Sequence, residues 1–205
     1  MSAIARYMLA QKIEVYGYDK TKTSLTKKLE GEGMNIHYMD DPKLIPKGID
    51  MVVYTPAIPD SHEELNWFLD NDFEVLKRSE MLGLLSQKKK TLAVAGTHGK
   101  TSTSSTAAHL LTHSGENISA FIGGIMTNYD SNYIGGNGQW IVVEADEYDR
   151  SFLWLQPDVT VVMSMDPDHL DIYGQHDEMI SSFNEFIGQT APDGHLILKH
   201  ELKRK

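Results

Sequence analysis

The chain has 205 residues, 40% of them apolar and 23% charged, with a formal net charge of -10 and no cysteine. That is enough apolar material for one large or two small cores, and the lack of thiols excludes disulfides, cysteine nucleophiles and thiolate zinc sites while fitting a reducing, cytoplasmic setting. The acidic balance argues against a nucleic-acid partner, no apolar run approaches the ~20 residues of a membrane span, and the N-terminus carries no signal-peptide pattern.

Residues 1–11 read as a helix and 13–18 as a buried strand ending at Asp19. An amphipathic helix is expected over 21–32, closed by Gly31 or Gly33, with short strands near 35–38, 50–54 and 73–76. Ser61 with Glu64 three positions on has the spacing of a capping box, and Ser79 is placed to open a helix through Met81, Leu82, Leu84 and Leu85. Helices alternating with strands predict a parallel sheet covered on its faces. A helix rich in small residues and a strand ending in an acid normally follow the first strand and glycine loop of a dinucleotide-type βαβ unit. The chain therefore reads either as starting within that motif or as an ordinary domain that begins with a helix.

The polar run Lys88-Lys89-Lys90 marks a domain boundary, because a fresh apolar strand, Leu92-Ala93-Val94-Ala95, follows at once. Residues 1–88 and 89–205 are thus expected to be separate α/β domains. The second has a helix over 100–113, strands near 118–122, 139–145 and 158–163, a helix over 177–188 and a strand over 195–198.

Between the strand at 92–95 and the helix at 100 stands Gly96-Thr97-His98-Gly99-Lys100-Thr101-Ser102. Glycines let backbone N–H groups converge on phosphates, a lysine neutralises the terminal phosphates, and the hydroxyl after it ligates magnesium. The strict phosphate-loop pattern wants a glycine where this chain has Val94, so Gly96 serves as the turn glycine of a shorter loop. The position before a helix N-terminus suits an anion, and ATP with Mg2+ is the expected ligand pair.

Trp140-Ile141-Val142-Val143-Glu144 delivers a carboxylate at a strand end, where ligands collect in open α/β sheets, so Glu144 is expected to reach a magnesium held by Thr101. A third strand runs into Asp166-Pro167-Asp168-His169-Leu170-Asp171, where three carboxylates flank one imidazole and suit a hard cation or a phosphoryl site. His37, His62, His109, His113, His195 and His200 have no comparable setting. In the first domain, Thr55 and Pro56 end a strand and Arg78 and Glu80 begin a helix; each pair reads equally as a ligand contact or as a turn and cap.

The stretches MSAIARY, SEML, AGTHGKTSTSS, EADEYDRSFLWLQP and DPDHLDIYG, in that order, resemble the Mur ligases of peptidoglycan synthesis. The resemblance implies a Rossmann-like domain for a UDP-sugar and part of a central P-loop ATPase-type domain. It also implies that the family's first strand and glycine loop, the rest of the central domain and the C-terminal amino-acid domain lie outside this sequence. Substrate contacts are then expected from Asp19, Thr55, Pro56, Arg78 and Glu80. Lys100 would contact ATP, Thr101 and Glu144 one Mg2+, and His169 a second. Several sister ligases use a carbamylated lysine after the segment matching His169, and this chain has no lysine from Leu170 to Leu198. That favours the branch that joins L-alanine to UDP-N-acetylmuramate, with the muropeptide-recycling branch, a nucleotide-binding fragment without turnover, and an unrelated small-molecule kinase as alternatives. A sheet lacking its first strand is further expected to expose an edge that promotes a homodimer.

Overall fold

The computed structural model describes residues 1–167, 173, 175–200 and 202. The chain forms two compact units, Met1–Met81 and Leu82–Lys205. Among the described residues no helix is long and apolar enough to cross a membrane.

The first unit runs α1 (Ser2–Ala10), β1 (Tyr16–Tyr18), α2 (Ser24–Gly31), β2 (Asn35–His37), a 3-10 turn (Pro42–Leu44), β3 (Met51–Tyr54), α3 (Glu63–Asp70) and β4 (Glu74–Lys77). β1 pairs in parallel with β2 and β3 with β4, as two separate two-stranded ladders. Ala3 and Ile4 of α1, Leu29 of α2 and Met34 are buried. The buried Arg6 of α1 is satisfied by a two-pronged bond to Glu32 at 2.7 and 2.9 Å. Thr23 and Thr26 form a reciprocal capping box that starts α2 later than the hydrophobic pattern implied.

The start of α3 corrects the expectation at Ser61. The N-cap is His62, whose Nδ1 accepts from the Leu65 amide at 3.1 Å. The amides of Glu63 and Glu64 are taken up by the Asp40 carboxylate, both at 3.0 Å. Glu64 is not a capping partner. It is buried, accepts from the Asp41 amide at 3.0 Å and lies 2.7 Å from His37 Nε2.

α4 (Arg78–Lys88) leads into the second unit. There β5 (Lys90–Ala95), α5 (Lys100–His113), β6 (Ser119–Met126), β7 (Ser131–Ile134), β8 (Trp140–Glu144), a 3-10 segment (Tyr148–Trp154), β9 (Val159–Val162), α6 (His176–Gly188) and β10 (His195–Leu198) follow in order. The six strands form one sheet in the order β10-β9-β5-β8-β6-β7. All pairs are parallel except β6 with β7, a polar edge strand that the hydrophobic pattern did not reveal.

β5 lies between β8 and β9, so both of its hydrogen-bonding edges are paired. Ala93, Val94 and Ala95 are fully buried, as the near-continuous apolar run requires. One core layer joins Ala108 of α5 to Ala120, Ile122, Ile134 and Val142 of the sheet. Another is aromatic: Phe152 stacks on Phe186 at 4.8 Å and meets Phe183 edge-on at 5.2 Å.

Phe183 is wholly buried on α6. Phe183→Ala is expected to cost about 3–5 kcal/mol in urea unfolding, whereas truncating the exposed Leu110 should stay within about 0.5 kcal/mol. Equal effects at the two positions would contradict this packing.

Candidate functional site

The loop after β5 lies against the turn that follows β9. Met163 N donates to Ala95 O at 2.9 Å and Thr97 N to Ser164 O at 3.2 Å, so the β5–β9 ladder continues into the loop. Gly96 has φ +136, and a Cβ there would meet Ser164 N at 2.8 Å and Met163 N at 3.1 Å. Only glycine fits both the backbone angle and the space. Ser164 then pins the loop through its hydroxyl, which accepts from His98 N at 2.7 Å and lies 2.9 Å from Thr97 Oγ1. Thr97 Oγ1 also accepts from Asp166 N at 3.2 Å. Gly99, at φ +83, turns the chain into α5, which starts without a side-chain cap. Its first amides are therefore left for another acceptor, and an anion is the natural one.

Lys100 and Thr101 open α5 and reach different carboxylates. Lys100 Nζ donates to both oxygens of Glu147 at 2.7 Å. Glu147 is 0% exposed, and the Lys100 side chain 15%. Burial raises the Glu147 carboxyl above the ordinary carboxylate range, although Lys100 opposes the shift. Its main-chain carbonyl accepts from the Tyr173 hydroxyl and from Arg150 N. Burial, reinforced by the Glu147 charge, pushes that phenol up to about 12. Asp149 and Arg150 both sit at φ +52, in the left-handed region that non-glycine residues seldom occupy. Sequence reasoning passed over Glu147 because EADEYD offers several acids and periodicity does not say which one turns inward.

Thr101 Oγ1 donates to Glu144 Oε1 at 2.7 Å, and Gly123 N of β6 donates to Glu144 Oε2 at 2.7 Å. Gly123 and Gly124 were also missed. A Cβ on Gly123 would meet Glu144 Oε1 at 2.8 Å, and one on Gly124 would meet Thr101 Cγ2 at 2.9 Å. β6 can pass beside this hydroxyl–carboxylate pair only because neither residue has a side chain. The β6–β7 register shifts over the same stretch, between Phe121 and Met126.

The structure thus joins Gly96, Thr97, His98, Gly99, Lys100, Thr101 and Glu144 at the carboxyl ends of β5 and β8; Ser102 continues α5 and is exposed. His169 lies outside the described residues. In the first unit, Asp19, Thr55 and Pro56 follow the carboxyl ends of β1 and β3, while Arg78 and Glu80 follow β4. Asp19 accepts from Thr21 N at 2.9 Å, and Glu80 accepts from Lys77 N, so both also serve local turns. Among the described residues no group of three or more His, Asp or Glu side chains forms a ready metal cage.

A parallel sheet with a glycine loop, lysine and hydroxyl at its central strand defines a P-loop-type nucleotide domain. Comparison with known proteins narrows this class. Residues 1–90 match the profile described as Mur ligase family, catalytic domain, and residues 94–204 match the Mur ligase middle domain. The chain belongs to the Mur ligase family. A UDP-N-acetylmuramate--L-alanine ligase of Cytophaga hutchinsonii is 50% identical over 206 residues, covering 96% of this chain and 44% of the relative. One of Parabacteroides distasonis is 49% identical over 97% of this chain and 44% of the relative. The crystal structure of the UDP-N-acetylmuramate-alanine ligase of Thermotoga maritima superposes with a TM-score of 0.86 at 28% identity, over 98% of this chain and 47% of that one. The chain therefore spans just under half the length of the relatives it matches.

The close approach at Gly96 sets a stability test. Gly96→Ala is expected to destabilise the protein by more than about 1 kcal/mol, through both the positive φ and the clash with the 163–164 backbone. Gly31→Ala, at the end of α2 with nothing within 4 Å of the new Cβ, should be neutral or slightly stabilising. A thermal melt of Gly96→Ala matching that of the unaltered chain would contradict the described loop.

Proposed function

We propose that the chain is the nucleotide-handling portion of an ATP-dependent ligase of peptidoglycan precursor synthesis that joins L-alanine to the carboxylate of UDP-N-acetylmuramate. The observation that carries this reading is the Thr101–Glu144 pair, 2.7 Å apart, beside a phosphate loop, in a chain about half identical to ligases of that name. A more distant Thermotoga maritima ligase of the same fold was solved with ADP.

The residues divide the work by charge. The amides at the uncapped start of α5, from Gly99 onward, receive phosphate oxygens, and Lys100 neutralises the terminal phosphates. A hydroxyl and a carboxylate are hard oxygen donors, the kind that holds a magnesium ion shared with substrate phosphates. Thr101 and Glu144 would hold that Mg2+, with His169 at a second. When bound, the ion supplies positive charge to the phosphates. Around the loop stand Glu144, Asp146, Glu147 and Asp166 against Lys100, so a triphosphate needs such a counter-charge to enter.

The proposed chemistry moves the γ-phosphoryl group of ATP to the substrate carboxylate and releases ADP. The alanine amine then attacks the acyl phosphate, forming the amide as phosphate leaves. The protein contributes positioning and charge stabilisation. Asp19, Thr55, Pro56, Arg78 and Glu80 stand at strand ends of the first unit, where an α/β sheet binds its ligand, and are assigned to the UDP-sugar.

Two measurements test this. Calorimetry with a non-hydrolysable ATP analogue should show binding in Mg2+ that disappears in EDTA and weakens about tenfold or more in Glu144→Gln. In the whole protein, phosphate release should require both UDP-N-acetylmuramate and L-alanine. Release that proceeds without alanine, or that requires a UDP-sugar tripeptide acceptor, would overturn the substrate assignment.

A further inference from the structure

The phosphate-loop lysine is already occupied. Its ammonium faces both oxygens of a carboxylate that has no solvent exposure, at 2.7 Å each. A carboxylate in that position is stable only with a close counter-charge, and a bidentate contact to an ammonium supplies it. The backbone around Glu147 is built to hold it there. Its carbonyl is gripped by the Tyr173 hydroxyl and by Arg150 N, Phe152 N bonds back to Asp146 O at 2.9 Å, and the turn between passes through two consecutive left-handed residues, Asp149 and Arg150. Left-handed non-glycine residues are unfavourable and persist only where their surroundings enforce them. Here they turn the chain so that the Glu147 side chain points inward.

We propose that Glu147 is a positioning residue for Lys100: it holds the ammonium within the loop before nucleotide arrives and competes with the β- and γ-phosphates for it. This inference rests on the nucleotide reading of the loop. A triphosphate must draw Lys100 away from an anion of the same charge-seeking kind, so the observed affinity is the intrinsic affinity reduced by the fraction of molecules in which Lys100 is free. Glu147 thereby sets how tightly the loop binds nucleotide. The contribution is specific to phosphates that reach the lysine, because an α-phosphate is served by the uncapped amides at the start of α5.

The test compares the unaltered chain with Glu147→Gln, a near-isostere that keeps an acceptor for Lys100 but removes the charge. With Mg2+ and a non-hydrolysable ATP analogue, Glu147→Gln is expected to lower the dissociation constant about tenfold, the factor by which a competent fraction of about one in ten reduces an apparent affinity. AMP, too short to reach Lys100, should bind both proteins equally. Weaker binding of the ATP analogue by folded Glu147→Gln, or equal gains for AMP and ATP analogue, would overturn the proposal and leave the nucleotide site intact. Failure of both proteins to bind any nucleotide would instead sink the nucleotide reading itself. If the amide variant does not fold, Glu147→Asp gives the same decision. Its shorter side chain cannot keep both contacts, so a smaller gain for the ATP analogue alone is expected, and no gain overturns the assignment.

Discussion

A single close approach underlies the site. β5 runs between β8 and β9, and the loop that leaves it must cross the backbone at residues 163–164 with no space for a β-carbon at Gly96. That approach allows Thr97 and His98 to bond to Ser164, and those bonds fix the direction in which the loop amides and the first turn of α5 point. Lys100 and Thr101 follow from it, because a helix start held in place decides where the next two side chains emerge. The phosphate loop is in this sense a product of the sheet order more than of its own glycines.

The same economy appears on the other side of the helix start. Gly123 and Gly124 give up side-chain packing in β6 so that Glu144 can accept from a strand amide and from Thr101 together. A carboxylate with both oxygens occupied by neutral donors stays in one orientation. Glu147, by contrast, is held through a charge. Two acids three residues apart in sequence thus meet neighbouring residues of one helix in different ways, one held by neutral donors and one by the ammonium of Lys100.

What the sequence disclosed follows the range of the forces involved. The glycine loop, the apolar strand before it and the acid at the end of β8 were readable because each is encoded within a few consecutive residues. α3 was misread at its start because its amides are satisfied by Asp40, more than 20 residues away, while Ser61 offered only a local resemblance to a cap. β7 escaped because a polar edge strand carries no alternation, and the parallel expectation had no place for it. Ser164 and Glu147 were invisible for the same physical cause: their partners lie 67 and 47 residues distant, and no periodicity reports which side chain closes such a gap.

The order of the central strands has a consequence for synthesis on the ribosome. β5 leaves the exit tunnel long before β8 and β9, its only two neighbours in the sheet. A nascent chain that has extruded the glycine loop but not residue 164 has neither the ladder that fixes the loop's start nor the hydroxyl that pins it. Contacts of such sequence separation are slow to form and leave apolar strands uncovered in the interval. Ala93, Val94 and Ala95, fully enclosed in the finished fold, are therefore without their sheet partners while that part of the chain is being made.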